Sequence, residues 1–250
     1  MHSLARDLAR GFDPAVLMDE AGMPPDPWQS DLLQSTAKRH LLLCSRQSGK
    51  STTCAALAVH SAIYDPGLVL LIAHAQRQSS ELFRKVLDVY RRLTDVPAIV
   101  RESALSLELE NGSRIIALPG TEATIRGFSG AKLIVLDEAS RIEDALFAGV
   151  RPMLATTQGR LIALTTPYGR RGWFYEAWEN GGAGWNRIRV TAHDCPRIDS
   201  VWLDEERAII GDWQFRQEYL VEFVDTDEQF FSSALIEAAL DPTVRPLWIS

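Results

Sequence analysis

No stretch of this 250-residue chain is apolar for long enough to suggest a membrane span. The longest apolar runs, such as "LVLLIA" at 68–73, fall far short of the roughly 20 residues that a spanning helix needs. The N-terminus, "MHSLARDLARGFDP", alternates charges with leucines and lacks the apolar stretch of a secretory signal. Cysteine is scarce. Cys44, Cys54 and Cys195 are too few and too scattered for a disulfide framework or a zinc site, and they point to a reducing compartment. A broad basic surface is missing as well: the net charge of −7 argues against a monomer coated in nucleic acid. Local basic patches, or a pore built from several copies, stay compatible with that balance. Internal repeats and low-complexity tracts are also absent. What remains is a soluble, cytoplasmic protein with no membrane partner. Its length suits one α/β domain with an appendage, or two small domains, and 46% hydrophobic and 24% charged residues are ordinary for a globular fold.

A further absence concerns one glycine. The stretch "HLLLCSRQSGKST", His40–Thr52, fits the phosphate-loop pattern G-x-x-x-x-G-K-[ST] at Gly49, Lys50 and Ser51. Its opening glycine should fall at position 44, where this chain has Cys44. A lone Gly-Lys-Ser is common and is often a surface turn. Here an apolar strand feeds the loop and "STTCAALAVHSAIY" supplies a helix after it, which places unpaired helix N–H groups at the loop's mouth. Lys50 then reaches the β- and γ-phosphates of a nucleotide, and the Ser51 hydroxyl ligates Mg²⁺. The loop residues Ser45, Arg46, Gln47 and Ser48, with Thr52, complete the candidate cradle. The missing glycine removes one permissive turn position, which small Cys44 and Ser45 still allow.

Along the chain, apolar strands alternate with helical patterns. Residues 4–36 carry short helical stretches broken by "GFDP" and "MPPDPW". Strands are expected at 40–45, 67–74, 132–140, 159–167 and 185–192. Leu82, Val86, Val89 and Leu93 recur at helical spacing within 75–93. "SLELENGSRIIAL" reads as a hairpin turning at Asn111-Gly112 in a type I′ connection. Buried strands separated by amphipathic helices imply a parallel sheet covered on both faces.

"LIVLDE" ends a buried strand in Asp137-Glu138. A carboxylate at the carboxyl end of such a strand points into the crevice where ligands bind. Asp137 would hold Mg²⁺, and Glu138 would orient or deprotonate the attacking water. An Asp-Glu pair that merely caps the next helix is the bland reading, and it weakens beside a phosphate loop. No Asn-Lys-x-Asp follows, which disfavours GTP and leaves ATP.

"SRQSGKS", "IVLDEAS" and "LTTPYGRRGWFYEAW" together resemble the ATPase domain of the large terminase subunit of tailed bacteriophages, over about Pro27 to Asp225. The resemblance implies a P-loop NTPase of the RecA-like/ASCE type, with the Walker A loop at Ser45–Thr52 and Walker B at Asp137-Glu138. It also implies a small C-terminal helical lid. The activity implied is ATP hydrolysis that drives double-stranded DNA into a procapsid. The implied partners are the portal protein, the small terminase subunit and further copies in a ring, in the cytoplasm of an infected bacterium. "DPWQ" resembles the adenine-side Q motif, which makes Gln29 a base-recognition residue and Trp28 its packing neighbour. Asp26 as a cap and Pro27 in the first turn of a helix is compatible with that role. Arg46 would lie near the phosphates in cis. Thr165, Thr166 and Pro167 match the coupling motif. Arg126, in "TEATIRGFSG", resembles a finger donated to the ATP of the next subunit. Arg84, Lys85, Arg91, Arg92, Arg101, Arg170 and Arg171 form basic runs that either track DNA phosphates or are a solvated face.

The resemblance divides the chain into an ATPase domain over 1–225 and a linker or tail over 226–250. Within the first part lie a helical segment (about 1–37), a core (about 38–195) and the lid (about 196–225). An RNase H-like nuclease normally follows in this family. It needs on the order of a hundred residues or more, so nuclease activity is not expected from residues 225–250. Two other readings stay open. The motifs also mark the first RecA-like domain of helicases, which requires a second such domain. A non-hydrolysing nucleotide switch is the third reading, and Glu138 argues against it.

Overall fold

In the computed structural model, residues 2–120, 125, 127–224 and 239 are described. Three short helices open the chain: α1 (His2–Phe12), α2 (Pro14–Glu20) and α3 (Pro27–Gln34). Then come β1 (Arg39–Cys44), α4 (Lys50–Tyr64), β2 (Leu68–Ala73) and α5 (Gln76–Arg92). A meander follows, formed by β3 (Ile99–Glu102), β4 (Ser106–Leu109) and β5 (Arg114–Pro119). β6 (Ala131–Asp137), α6 (Asp144–Val150), β7 (Arg160–Thr165), α7 (Gly172–Asn180) and β8 (Asn186–Val190) complete the core. Two more helices, α8 (Ser200–Ile210) and α9 (Asp212–Glu218), lie beyond it. Among the described residues no helix is long and apolar enough to cross a membrane.

All eight strands join one sheet in the order β3-β4-β5-β2-β6-β7-β1-β8. From β5 to β8 every pairing is parallel, the β3–β4 and β4–β5 pairings are antiparallel, and β4 alone runs against the other strands. Successive side chains of a strand face opposite sides, so each central strand feeds two cores. Leu42 and Cys44 of β1 join the core beneath α4 and α5, which also buries Leu17, Trp28 and Leu32 of α2 and α3. Leu41 and Leu43 join the core beneath α7, with Trp173 and Phe174. A small third cluster, Ala192, Leu203, Phe215 and Tyr219, holds α8 and α9 together.

The five strands expected from apolar runs are present. The hairpin is present too, but its turn is not type I′. Only Gly112 takes a positive φ, +84°, and Gly112 N–H bonds Leu109 O at 2.9 Å. This is a type I turn closed by a left-handed glycine. Asn111 serves by its side chain instead: Oδ1 accepts from Ser113 N–H at 3.0 Å, and Nδ2 donates to Ala62 O at 2.9 Å. β3, "IVRE", is exposed at all four positions, so it carries no alternation by which to read it.

Candidate active site at the carboxyl edge of the sheet

Parallel strands end on the same side, so β1, β6 and β7 deliver the loop at 45, Asp137 and Thr165 to one edge. β7 lies between β1 and β6, which places its Thr165-Thr166 end between the loop and the Asp-Glu pair.

The loop is held from outside by two backbone bonds, Ser45 N–H to Val190 O at 2.8 Å and Arg46 N–H to Glu218 O at 3.1 Å. Inside it, Ser48 Oγ donates to Ser45 O at 3.0 Å. Gln47 and Gly49 take positive φ of 59° and 88°, and α4 begins at Lys50 with Thr52 in its first turn. Cys44 is the last residue of β1. The pattern's missing glycine therefore costs nothing: position 44 is extended strand, not a turn. Burial pushes the Cys44 thiol up to about 12, and a thiol so protonated is inert.

Lys50 Nζ donates to Thr166 Oγ1 at 3.3 Å, and that hydroxyl donates to Cys44 O at 3.3 Å. Thr165 Oγ1 accepts from Ser140 N–H at 3.3 Å and donates to Thr166 O at 2.8 Å. Pro167 follows, buried. Ser51 Oγ lies 3.4 Å from Asp137 Oδ2, and Asp137 Oδ1 accepts from Glu138 N–H at 3.0 Å. Burial raises the Asp137 pKa, the adjacent Glu138 carboxylate adds to this, and Lys50 opposes it. Glu138 takes a left-handed φ of 53°, a conformation that persists only where its surroundings fix it. A cleft of about 420 Å³ opens beside Ser51, Asp137 and Glu138, walled by Arg77, Glu81 and Lys85 of α5.

A buried carboxylate facing a hydroxyl suits a hard, oxygen-seeking cation. Among the described residues no group of three or more His, Cys, Asp or Glu could hold a metal. A cation here would need oxygens from a ligand or water, which is how Mg²⁺ is usually bound.

Gln29 and Trp28 lie on α3. Trp28 packs in the core beneath α4. Gln29 is buried, with Oε1 accepting from Asp26 N–H at 2.8 Å. Its Nε2 lies 2.7 Å from where a Cβ on Gly49 would sit, so the Gln29 amide rests on the loop. Two contacts at the loop have no signal in the sequence. Arg46 Nε pairs with Glu218 Oε2 at 2.6 Å. Arg197 donates from Nη1 to Asp26 Oδ1 at 2.7 Å, with Nη2 2.7 Å from Oδ2 and 3.4 Å from Ser48 O. Arg126 lies outside the described residues. Of the basic runs, Arg84 pairs with Glu81 and Arg91 with Glu102, both at 2.6 Å, as a solvated face does.

Fold and site together define a RecA-like P-loop protein. Residues 41–238 match the family described as terminase large subunit, T4likevirus-type, N-terminal. The chain belongs to that family. The terminase large subunit of Thermus virus P23-45 is 30% identical, over 84% of this chain and 51% of that protein. The chain thus spans about half the length of the curated relatives it matches. The large terminase ATPase domain of Thermus phage P74-26 superposes with a TM-score of 0.69 at 25% identity, covering 83% of this chain and 97% of that one. The large terminase of a thermophilic bacteriophage, in complex with ATP-gamma-S, shares the fold, with a TM-score of 0.65 at 12% identity, over 80% of this chain and 53% of that one.

Proposed function

We propose that this chain is the ATP-hydrolysing module of a phage DNA-packaging motor. The observation that carries the reading is convergence: Lys50, Ser51, Asp137, Glu138 and Thr166 meet at three adjacent strand ends. Phosphate oxygens of ATP take the place of Thr166 as partner of Lys50, and the N–H groups at the start of α4 cradle them. Ser51 and Asp137 would hold Mg²⁺, which would supply positive charge against the phosphate oxygens. Glu138 accepts the proton of the attacking water. Gln29 and Trp28 form the base side, and Thr165-Thr166-Pro167 transmits the state of the γ-phosphate. Arg126 works on a neighbour's ATP within a ring.

The ATPase domain is residues 1–225, with α8 and α9 as a lid over the loop, and 226–250 serves as a linker or tail. In a motor the chain acts on double-stranded DNA with the portal, procapsid and small terminase subunit, in the cytoplasm of the host bacterium. Phosphate-release assays with parallel binding measurements test the reading. Lys50→Ala should abolish ATP binding, because no neutral group replaces a compact charge against phosphate. Glu138→Gln should bind ATP almost normally while hydrolysis falls about 10²–10⁴-fold, since the amide cannot accept a proton. Equal turnover in wild type and both variants would sink the proposal.

A further inference from the structure

We infer that Arg197 is a positioning residue for the base side of the nucleotide pocket, an inference that rests on the ATP reading above and deepens it. Arg197 sits in the turn between β8 and α8. It draws together three segments far apart in sequence. Its Nη1 donates to Asp26 Oδ1 at 2.7 Å, and its Nη2 lies 2.7 Å from Oδ2 as an ion pair. Its Nη2 lies 3.4 Å from Ser48 O, and 3.2 Å from where a Cβ on Gly49 would sit. It therefore touches the phosphate loop and the start of α3 at once.

The Asp26 side chain is only 9% exposed. A carboxylate that far from water needs a charged, hydrogen-bonded partner. Among the described residues its ion pair is with Arg197. Asp26 in turn fixes Gln29, because Asp26 N–H bonds Gln29 Oε1 at 2.8 Å in a capping box. With that oxygen occupied, Nε2 of the same amide is turned onto Gly49. The chain of contacts runs from Arg197 through Asp26 and Gln29 to the loop, with a short branch to Ser48 O. Removing the guanidinium leaves the buried carboxylate at the head of α3 uncompensated, so α3 shifts. That shift loosens Gln29. The phosphate-binding N–H groups, by contrast, are fixed by bonds that Arg197 does not make: Ser45 to Val190, Arg46 to Glu218, and Ser48 Oγ to Ser45 O. The two halves of the pocket should therefore separate energetically. Arg197 serves the base and leaves the phosphates largely alone.

The test compares ATP with inorganic tripolyphosphate, which carries the phosphates and no base. Both are titrated calorimetrically, with Mg²⁺, into wild type, Arg197→Gln, Asp26→Asn and the double variant. Arg197→Gln should weaken ATP by about tenfold and tripolyphosphate by less than about twofold. Asp26→Asn removes the buried charge rather than its partner, so it serves as the second variant if Arg197→Gln folds poorly. The double variant should be no worse than the weaker single one, because the pair acts as a unit. Unchanged ATP affinity in Arg197→Gln and Asp26→Asn overturns the inference. So does a parallel loss of both ligands, which would mean general collapse of the loop. Failure of the ATP reading looks different: wild type then binds neither ligand, or binds both independently of Lys50.

Discussion

At Gly49 the backbone turns with φ +88°, and a built Cβ would lie 2.7 Å from Gln29 Nε2 and 3.2 Å from Arg197 Nη2. Two separate requirements meet at one residue. The left-handed conformation lets the loop hand over to α4, and the absent side chain lets Gln29 rest on the loop. Alanine violates both. Gly49→Ala should lower stability by about 1 kcal/mol or more and should also displace Gln29, so ATP binding falls further than the stability change alone explains. Thermal denaturation beside an ATP titration checks this, and normal affinity in a destabilised Gly49→Ala chain would rule out the steric part. Position 44 shows the opposite case. The pattern asks for glycine there, yet residue 44 ends β1 and lies at 0% exposure in the core. A buried strand end gains from a side chain and needs no turn, which is why Cys44 replaces the glycine without loss.

At the scale of elements, α9 acts on the loop through its last residue. Glu218 O accepts Arg46 N–H, and Glu218 Oε2 pairs with Arg46 Nε at 2.6 Å. Arg46 is 61% exposed and Glu218 only 12%, so the pair is screened on the arginine side and modest in strength. Glu218 thus holds Arg46 towards α9. Glu218→Gln should release the guanidinium to phosphate and strengthen ATP binding by up to about fivefold, more at low salt than at high. ATP titrations at two ionic strengths decide it, and weaker binding in the variant would show that the pair positions the loop instead. The central strands were legible in the sequence because a parallel sheet buried on both faces demands unbroken apolar runs. β3, only four residues long and exposed throughout at the sheet's edge, gave no such signal. That Lys50, Ser51, Asp137 and Glu138 would converge was legible from residue type and from their places at strand ends. Arg197 and Glu218 were not. They reach the loop from elements more than a hundred residues downstream, and only the fold brings them there.

For the whole molecule, the strongest expectation concerns assembly. In the proposed mechanism a lone subunit offers Lys50, Ser51, Asp137 and Glu138, which meet at one sheet edge, to its own nucleotide. Arg126, in an Arg-Gly sequence, resembles a finger that works in trans. A guanidinium beside the γ-phosphate stabilises the charge spread over its oxygens in a loose transition state, an effect of about 10³–10⁵ in rate. A chain that lacks a neighbour lacks that charge, so activity per subunit should rise with protein concentration. Mixing variants tests the geometry directly. Arg126→Ala chains keep an intact pocket, and Glu138→Ala chains keep an intact finger. Each should be nearly inactive alone. In a mixture some interfaces set an intact pocket against an intact finger, and phosphate release should return in part, highest near equal proportions. Recovery of activity cannot arise within one chain, because no single chain then carries both groups. If the mixture stays as inactive as its components, under conditions where wild type assembles and hydrolyses ATP, Arg126 acts on its own subunit's nucleotide or not on nucleotide at all.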